Sequence, residues 1–117
     1  MGEGWFSIDL VPMDRSWVYI LRLLSGTYYV GACHDLPRRI RQHWSGEGSR
    51  QTVIDPPISL VYSEEHPNFV LARRREAQLK RWSRAKKEAL IRGDIESLKA
   101  LAKRRRSSSP RFTINGD

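Results

Sequence analysis

Five side chains in this sequence have the types and spacing to act together on a phosphodiester. Tyr19 and Tyr29 are phenols set in apolar, β-branched surroundings. Arg39 and His43 stand four residues apart, so they share a face if that segment is helical. The planar guanidinium fork suits phosphate oxygens, and an imidazole relays protons near neutral pH. Glu76 lies four residues after Ala72 and three before Leu79, so it points toward or borders an apolar stripe. A carboxylate there must be paired, with Arg73 or Lys80, or must hold a cation. Phosphodiester cleavage needs an attacking water, a base for its proton, positive charge on the phosphate and help for the departing oxygen. The five groups could supply these if they faced one sheet surface. Singly, each has a plainer reading. Hairpin tyrosines usually pack, Arg39 and His43 fit a solvated basic helix beside Arg38 and Arg41, and Glu76 can form ordinary ion pairs with its neighbours.

The elements that would position them follow from periodicity and punctuation. Residues 17–23 are β-branched and aromatic and predict a strand, Ser25-Gly26 a turn, and 27–31 the returning strand. Hairpin register decides whether the tyrosines meet. A three-residue loop, Leu24-Ser25-Gly26, pairs Leu23 with Thr27 and sets Tyr29 opposite Leu21, diagonal to Tyr19 on one face. A two-residue loop sets the phenols on opposite faces. In the favoured register Gly31 lies opposite Tyr19 and leaves room for a ligand to approach the backbone. Asp35 is a candidate N-cap and Pro37 fits the first helical turn. Leu36, Ile40 and Trp44 form an apolar row, with Arg39 and His43 one step round at the rim of the core. Residues 45–49 end this helix in a flexible loop, Pro56-Pro57 prevent helix there, and 58–62 read as a third strand. Asn68 caps a helix over 69–82, Ser83 one over 84–92, and Asp94, after Gly93, a short one through Leu101 or Ala102.

The predicted class is α/β: a small three-stranded, largely antiparallel sheet flanked by helices, in the order β-β-α-β-α-α-α. Residues 1–16 read as an irregular extension, 17–102 as the domain and 103–117 as a basic, disordered tail.

A chain of 117 residues fits one domain. No stretch approaches the roughly 18 apolar residues that span a membrane, and the first residues lack the basic-then-apolar pattern of a signal peptide. A soluble, cytoplasmic protein without a membrane partner is expected. Cys33 is the single cysteine, which excludes an internal disulfide and a cysteine-cluster metal site. Twenty-one Lys and Arg against 13 acids give +8, a charge that attracts polyanions, above all nucleic acid. Arg38, Arg41, Lys80, Arg84 and Lys87 are the candidate backbone contacts. Trp44 and Trp82 could stack bases but, at helical spacing, read more simply as packing.

Together these segments resemble the GIY-YIG nuclease superfamily, and within it the small free-standing bacterial members. Val18-Tyr19-Ile20 resembles the first motif and Tyr29-Val30-Gly31 the second. Residues 35–43 resemble the first helix, 59–65 the third strand and 75–87 the metal-binding helix with the segment after it. Trp17-Val18 replaces the glycine of the first motif, His34 stands where asparagine is expected, and Gln51-Thr52 replaces Tyr-Thr. The resemblance implies that Tyr19 orients or deprotonates the attacking water and Tyr29 supports it or a phosphate oxygen. It implies that Arg39 binds the scissile phosphate, that His43 assists proton transfer or holds a phosphate, and that Glu76 holds one divalent ion, Mg2+ or Mn2+. Metal-assisted hydrolysis of DNA to a 5′-phosphate and a 3′-hydroxyl is the implied reaction. The alternative is a nucleic-acid-binding module on the same fold that no longer cuts. A monomer or weak dimer is expected.

Overall fold

The computed structural model describes the backbone of residues 15–112 and the side chains of residues 15–103. It divides after Arg81 into two compact units. The first holds β1 (Ser16–Leu23), β2 (Tyr28–Cys33), α1 (Leu36–Trp44), α2 (Arg50–Ile54), β3 (Pro57–His66) and α3 (Phe69–Lys80). The second holds α4 (Arg84–Arg92) and α5 (Ile95–Phe112).

In the sheet order β2-β1-β3, β1 is central and antiparallel to both neighbours. That position explains its nearly unbroken apolar sequence. Val18 and Ile20 are buried on one face, and Tyr19, Leu21 and Leu23 on the other. The hairpin takes the three-residue loop. Leu23 N–H donates to the Thr27 carbonyl at 2.9 Å, Leu21 pairs with Tyr29 and Tyr19 with Gly31. Asp55 staples this turn, accepting from the Ser25 amide (3.0 Å) and hydroxyl (2.6 Å).

Leu36 and Ile40 of α1 pack on the cluster formed by Tyr19, Leu21, Leu23 and Cys33. α3 also packs against the sheet, with Ala72 and Leu79 buried. A polar cluster fastens that helix to β3. Arg75 Nε donates to Glu64 Oε2 at 2.8 Å, and the same carboxylate receives the Tyr62 hydroxyl at 2.5 Å and contacts His66 Nε2 at 2.7 Å. Burial raises the Glu64 carboxyl, but these bonds outweigh it and hold the group below its ordinary value.

The caps stand where sequence places them. Asp35 accepts from the Arg38 amide, Asn68 from Leu71 and Ser83 from Lys86. In the second unit α4 ends at Gly93 and packs with α5, whose start is closed by Asp94 through Ser97.

Four expectations are corrected. The segment expected as an open loop contains α2, a single turn and a half that begins when Ser49 accepts the Thr52 amide. So short a helix has little stability of its own, and tertiary contacts hold it. The third strand is longer than 58–62, because β1 pairs with it from Pro57 to His66 through two register shifts. Trp44 is 46% exposed, and His43, not Trp44, occupies the buried face of α1. His43 is two turns beyond Leu36 and nearly above it, whereas Trp44 is displaced further round. Finally, the backbone stays helical to Phe112, beyond the expected end near Ala102, as the strong helix propensity of Lys and Arg allows. The irregular extension expected over residues 1–16 lies outside the described residues up to 14, and its last residue, Ser16, belongs to β1. Residues 113–117 of the expected tail also lie outside the described residues.

Candidate active site

Register and pleat bring the two phenols to one face. Their ring centroids are 6.4 Å apart. The His43 ring comes down from α1 and meets both edge-on, at 5.6 Å from Tyr19 and 5.4 Å from Tyr29. Tyr19 is 1% exposed and His43 1%, and the phenol oxygen lies 2.8 Å from His43 Nε2. The far side of the imidazole is also satisfied, with Nδ1 2.9 Å from Thr52 Oγ1. That hydroxyl in turn donates to the Ser49 carbonyl at 3.0 Å.

Arg39 lies one turn before His43 and is half-buried, with Nη1 donating to Gln42 Oε1 at 2.9 Å. Burial works against its charge, but hydrogen bonding to Tyr19 and the proximity of both phenols hold the guanidinium above its ordinary range. Burial dominates the other two groups. It pushes the Tyr19 phenol up to about 12, with Arg39 pulling the other way. It lowers His43 to about 4, and the Arg39 charge adds to that. At neutral pH the site therefore holds a protonated phenol, a neutral imidazole and a fixed positive charge.

Two glycines shape this pocket. A methyl group on Gly31 would fall on the Tyr19 hydroxyl and 2.5 Å from its Cζ. The room expected there for a ligand is filled by the Tyr19 ring itself. A methyl on Gly48 would fall on His43 Nδ1 and 2.6 Å from Thr52 Oγ1. Sequence reasoning names Thr52 only as part of the Gln51-Thr52 replacement of the family's Tyr-Thr pair, without a role of its own, and does not mark Gly48. The available signal is the Ser49–Thr52 spacing of a helix cap behind a glycine.

Glu76 projects from α3, and its oxygens pair with Arg73 Nε (3.0 Å) and Lys80 Nζ (3.1 Å), the ion pairs its neighbours in sequence offer. Around α3, the buried Ala72 and Leu79 separate Arg75 from Glu76. Since Arg75 reaches β3, Glu76 leans to the β2 side. Phe69, on the same stripe as Glu76, stacks on His34 just after β2, with centroids 4.3 Å apart. Tyr19, Tyr29, Arg39 and His43 are thus gathered.

Among the described residues no group of three or more His, Cys, Asp or Glu is placed to cage a metal ion. The Glu76 side chain is 12% exposed, while those of Arg73 and Lys80 are more than half exposed. One such carboxylate fits a Mg2+ or Mn2+ ion that keeps water and phosphate oxygens as its other ligands.

Of the expected backbone contacts, Arg38 and Arg41 are exposed on α1 and line a shallow depression with Gln42, Ser45 and Glu47. Lys80 is exposed beside Glu76. In the second unit Arg84 pairs with Glu88 at 3.1 Å, and Lys87 is half-buried, which lowers its pKa. Trp82 carries the Lys86 ammonium over its ring at 4.3 Å. No helix among the described residues is long and apolar enough to cross a membrane.

Residues 15–89 match the GIY-YIG catalytic domain. The UPF0213 protein of Staphylococcus saprophyticus is 38% identical over 79 residues, which are 68% of this chain and 96% of that one. The UPF0213 protein of Halobacterium salinarum is 40% identical over 74 residues, 63% of this chain and 96% of that one. A solution NMR structure of the UPF0213 protein BH0048 from Bacillus halodurans is 38% identical, covers 68% of this chain and 85% of that one, and superposes with a TM-score of 0.46. Motif order and matched length agree: the chain belongs to the GIY-YIG family, a family of nucleases, and is similar to its small UPF0213 proteins.

Proposed function

We propose that this chain is a divalent-metal-dependent endonuclease that hydrolyses phosphodiester bonds in DNA, selecting its substrate by structure more than by sequence. The observation that carries the reading is the buried 2.8 Å contact between Tyr19 and His43 beneath half-buried Tyr29 and Arg39. The imidazole is placed at the phenol oxygen to receive its proton as that oxygen takes one from water, and the negative phosphate entering the site favours the imidazolium that forms. In the free chain Arg39 hydrogen-bonds Tyr19; on binding it turns to the scissile phosphate and uncovers the phenol oxygen. The attacking water then gives its proton to the Tyr19 oxygen while the phenolic proton passes to His43. The water oxygen bonds to phosphorus, the bond to the 3′ oxygen breaks, and that oxygen takes a proton from solvent. Tyr29 steadies the water or a phosphate oxygen. Glu76, leaning to the β2 edge, would hold Mg2+ or Mn2+, which when bound supplies positive charge to the phosphate and the leaving oxygen.

Arg38, Arg41 and Lys80, with Arg84 and Lys87 of the second unit, supply sequence-independent contacts to the phosphate backbone. The second reading is a module that binds without cutting. One observation favours it: both Glu76 oxygens are already paired with cations.

Cleavage of a flap, a junction, a single strand and a plain duplex, each with Mg2+, decides between them. The nuclease reading expects cutting of at least one substrate, abolished by Glu76→Ala and by Arg39→Ala in chains that remain folded. Binding without cutting in the native chain would leave the second reading. Variants that cut at the native rate would remove the site. Equal cutting of all four substrates would remove the structural preference.

A further inference from the structure

We propose that Thr52 is a positioning residue that fixes the His43 tautomer, keeping the proton on Nδ1 and leaving Nε2 open to receive the proton of Tyr19. As to rate, this rests on the nuclease reading above; as to protonation, it rests on the hydrogen bonds alone.

Each polar atom along the chain of contacts has limited choices. The Thr52 hydroxyl owns one proton and donates it to the Ser49 carbonyl at 3.0 Å. Towards His43 Nδ1, 2.9 Å away, its oxygen can then only accept, so Nδ1 must carry a proton. A neutral imidazole with its proton on Nδ1 has a lone pair on Nε2, and the Tyr19 hydroxyl 2.8 Å away donates into it. The opposite tautomer breaks this order at both ends. Thr52 would have to turn its proton from the Ser49 carbonyl to Nδ1. Nε2–H would occupy the phenol oxygen, and the Tyr19 proton would be driven toward Arg39, a group with donors only.

Water cannot easily substitute for Thr52. Thr52 is 2% exposed and His43 1%. Gly48 lies so close to Nδ1 that even a methyl group there would collide with it, which closes the imidazole on that side. The segment 48–52 is therefore a latch: a glycine lets the backbone approach, Ser49 starts the turn and orients the Thr52 proton, and Thr52 holds the ring. Partners that fix a functional histidine in this way typically carry 10- to 100-fold of its effect, as metal-ligating histidines illustrate.

The test uses the full chain labelled with 15N on imidazole. Long-range proton–nitrogen correlations distinguish Nδ1–H from Nε2–H in the native chain, in Thr52→Val, which keeps shape but loses the hydroxyl, and in Thr52→Ser, which keeps the hydroxyl. The expected result is Nδ1–H in the native chain and in Thr52→Ser, and a shift toward Nε2–H in Thr52→Val. Cleavage should fall about 10- to 100-fold in Thr52→Val and return with serine. Nε2–H in the native chain overturns the proposal whether or not any variant folds. So does an unchanged Nδ1–H pattern in folded Thr52→Val, or a serine variant as impaired as valine. If the native chain cuts nothing, the nuclease reading fails by itself, and the nitrogen spectra still decide the role of Thr52.

Discussion

Replacing His43 by a side chain that does not titrate should remove one segment of the acid unfolding curve of this protein. The folded imidazole sits near 4 against an ordinary 6.5, because burial, and then the Arg39 charge, disfavour its protonated form. The sign comes from linkage. As pH falls, the unfolded chain takes up the proton first, so acid favours unfolding. The stability gained by burying a neutral ring is complete above 6.5, declines as pH falls from 6.5 to 4, and levels off below that. At ~1.4 kcal/mol per pKa unit the window holds about 3 kcal/mol. Total stabilities of domains this size run only to roughly 5–15 kcal/mol, so the effect is large. Glu64, held below its ordinary 4.5, loses its contribution mainly beneath this window. Urea melts followed by tryptophan fluorescence, run for the native chain and His43→Asn across the window, isolate the term as the difference between two pH profiles. Profiles that stay parallel, or an NMR titration placing folded His43 near 6.5, would refute the reasoning and with it the neutral acceptor that the proposed mechanism needs.

Gly31→Ala should lower stability by about 1–3 kcal/mol, since the new methyl group must displace the Tyr19 ring; an unchanged melting temperature would show that the phenol is not seated against β2. Asp55→Ala should cost about 1 kcal/mol and speed hydrogen exchange at the Ser25 amide, because the carboxylate staples the hairpin turn. Exchange at that amide with native protection would count against the staple. DNA affinity should fall steeply as salt rises, as expected for a chain of +8 that contacts phosphates. A flat response would remove the backbone as the main contact.

Local signals sufficed for much of the framework. The caps at Asp35, Asn68, Ser83 and Asp94 depend on residues within three positions of each helix start, so they can be read in one dimension. The same is true of the hairpin, where the three-residue loop sets the register and the register puts both phenols on one face. The α/β class and strand count came from the alternation of strand-like and helix-like patterns.

Residue types and local spacing are enough to list the chemically able groups and the faces they take within their own elements. Which of those faces meet is settled by long-range packing. His43 looks like a rim residue in one dimension because the tryptophan beside it seems the natural member of the apolar row, yet a buried acceptor at the Tyr19 oxygen makes the imidazole the better core residue. The turn at 50–54 exists because Thr52 and Gly48 close on that imidazole, a contact no local pattern encodes. The seat of Glu76 follows from how α3 is fastened, through buried Ala72 and Leu79 and the Arg75–Glu64 pair. Helix periodicity tells which side of a helix is apolar but not which face of the sheet it will cover. That choice is made by long-range packing and the pairing of buried charge.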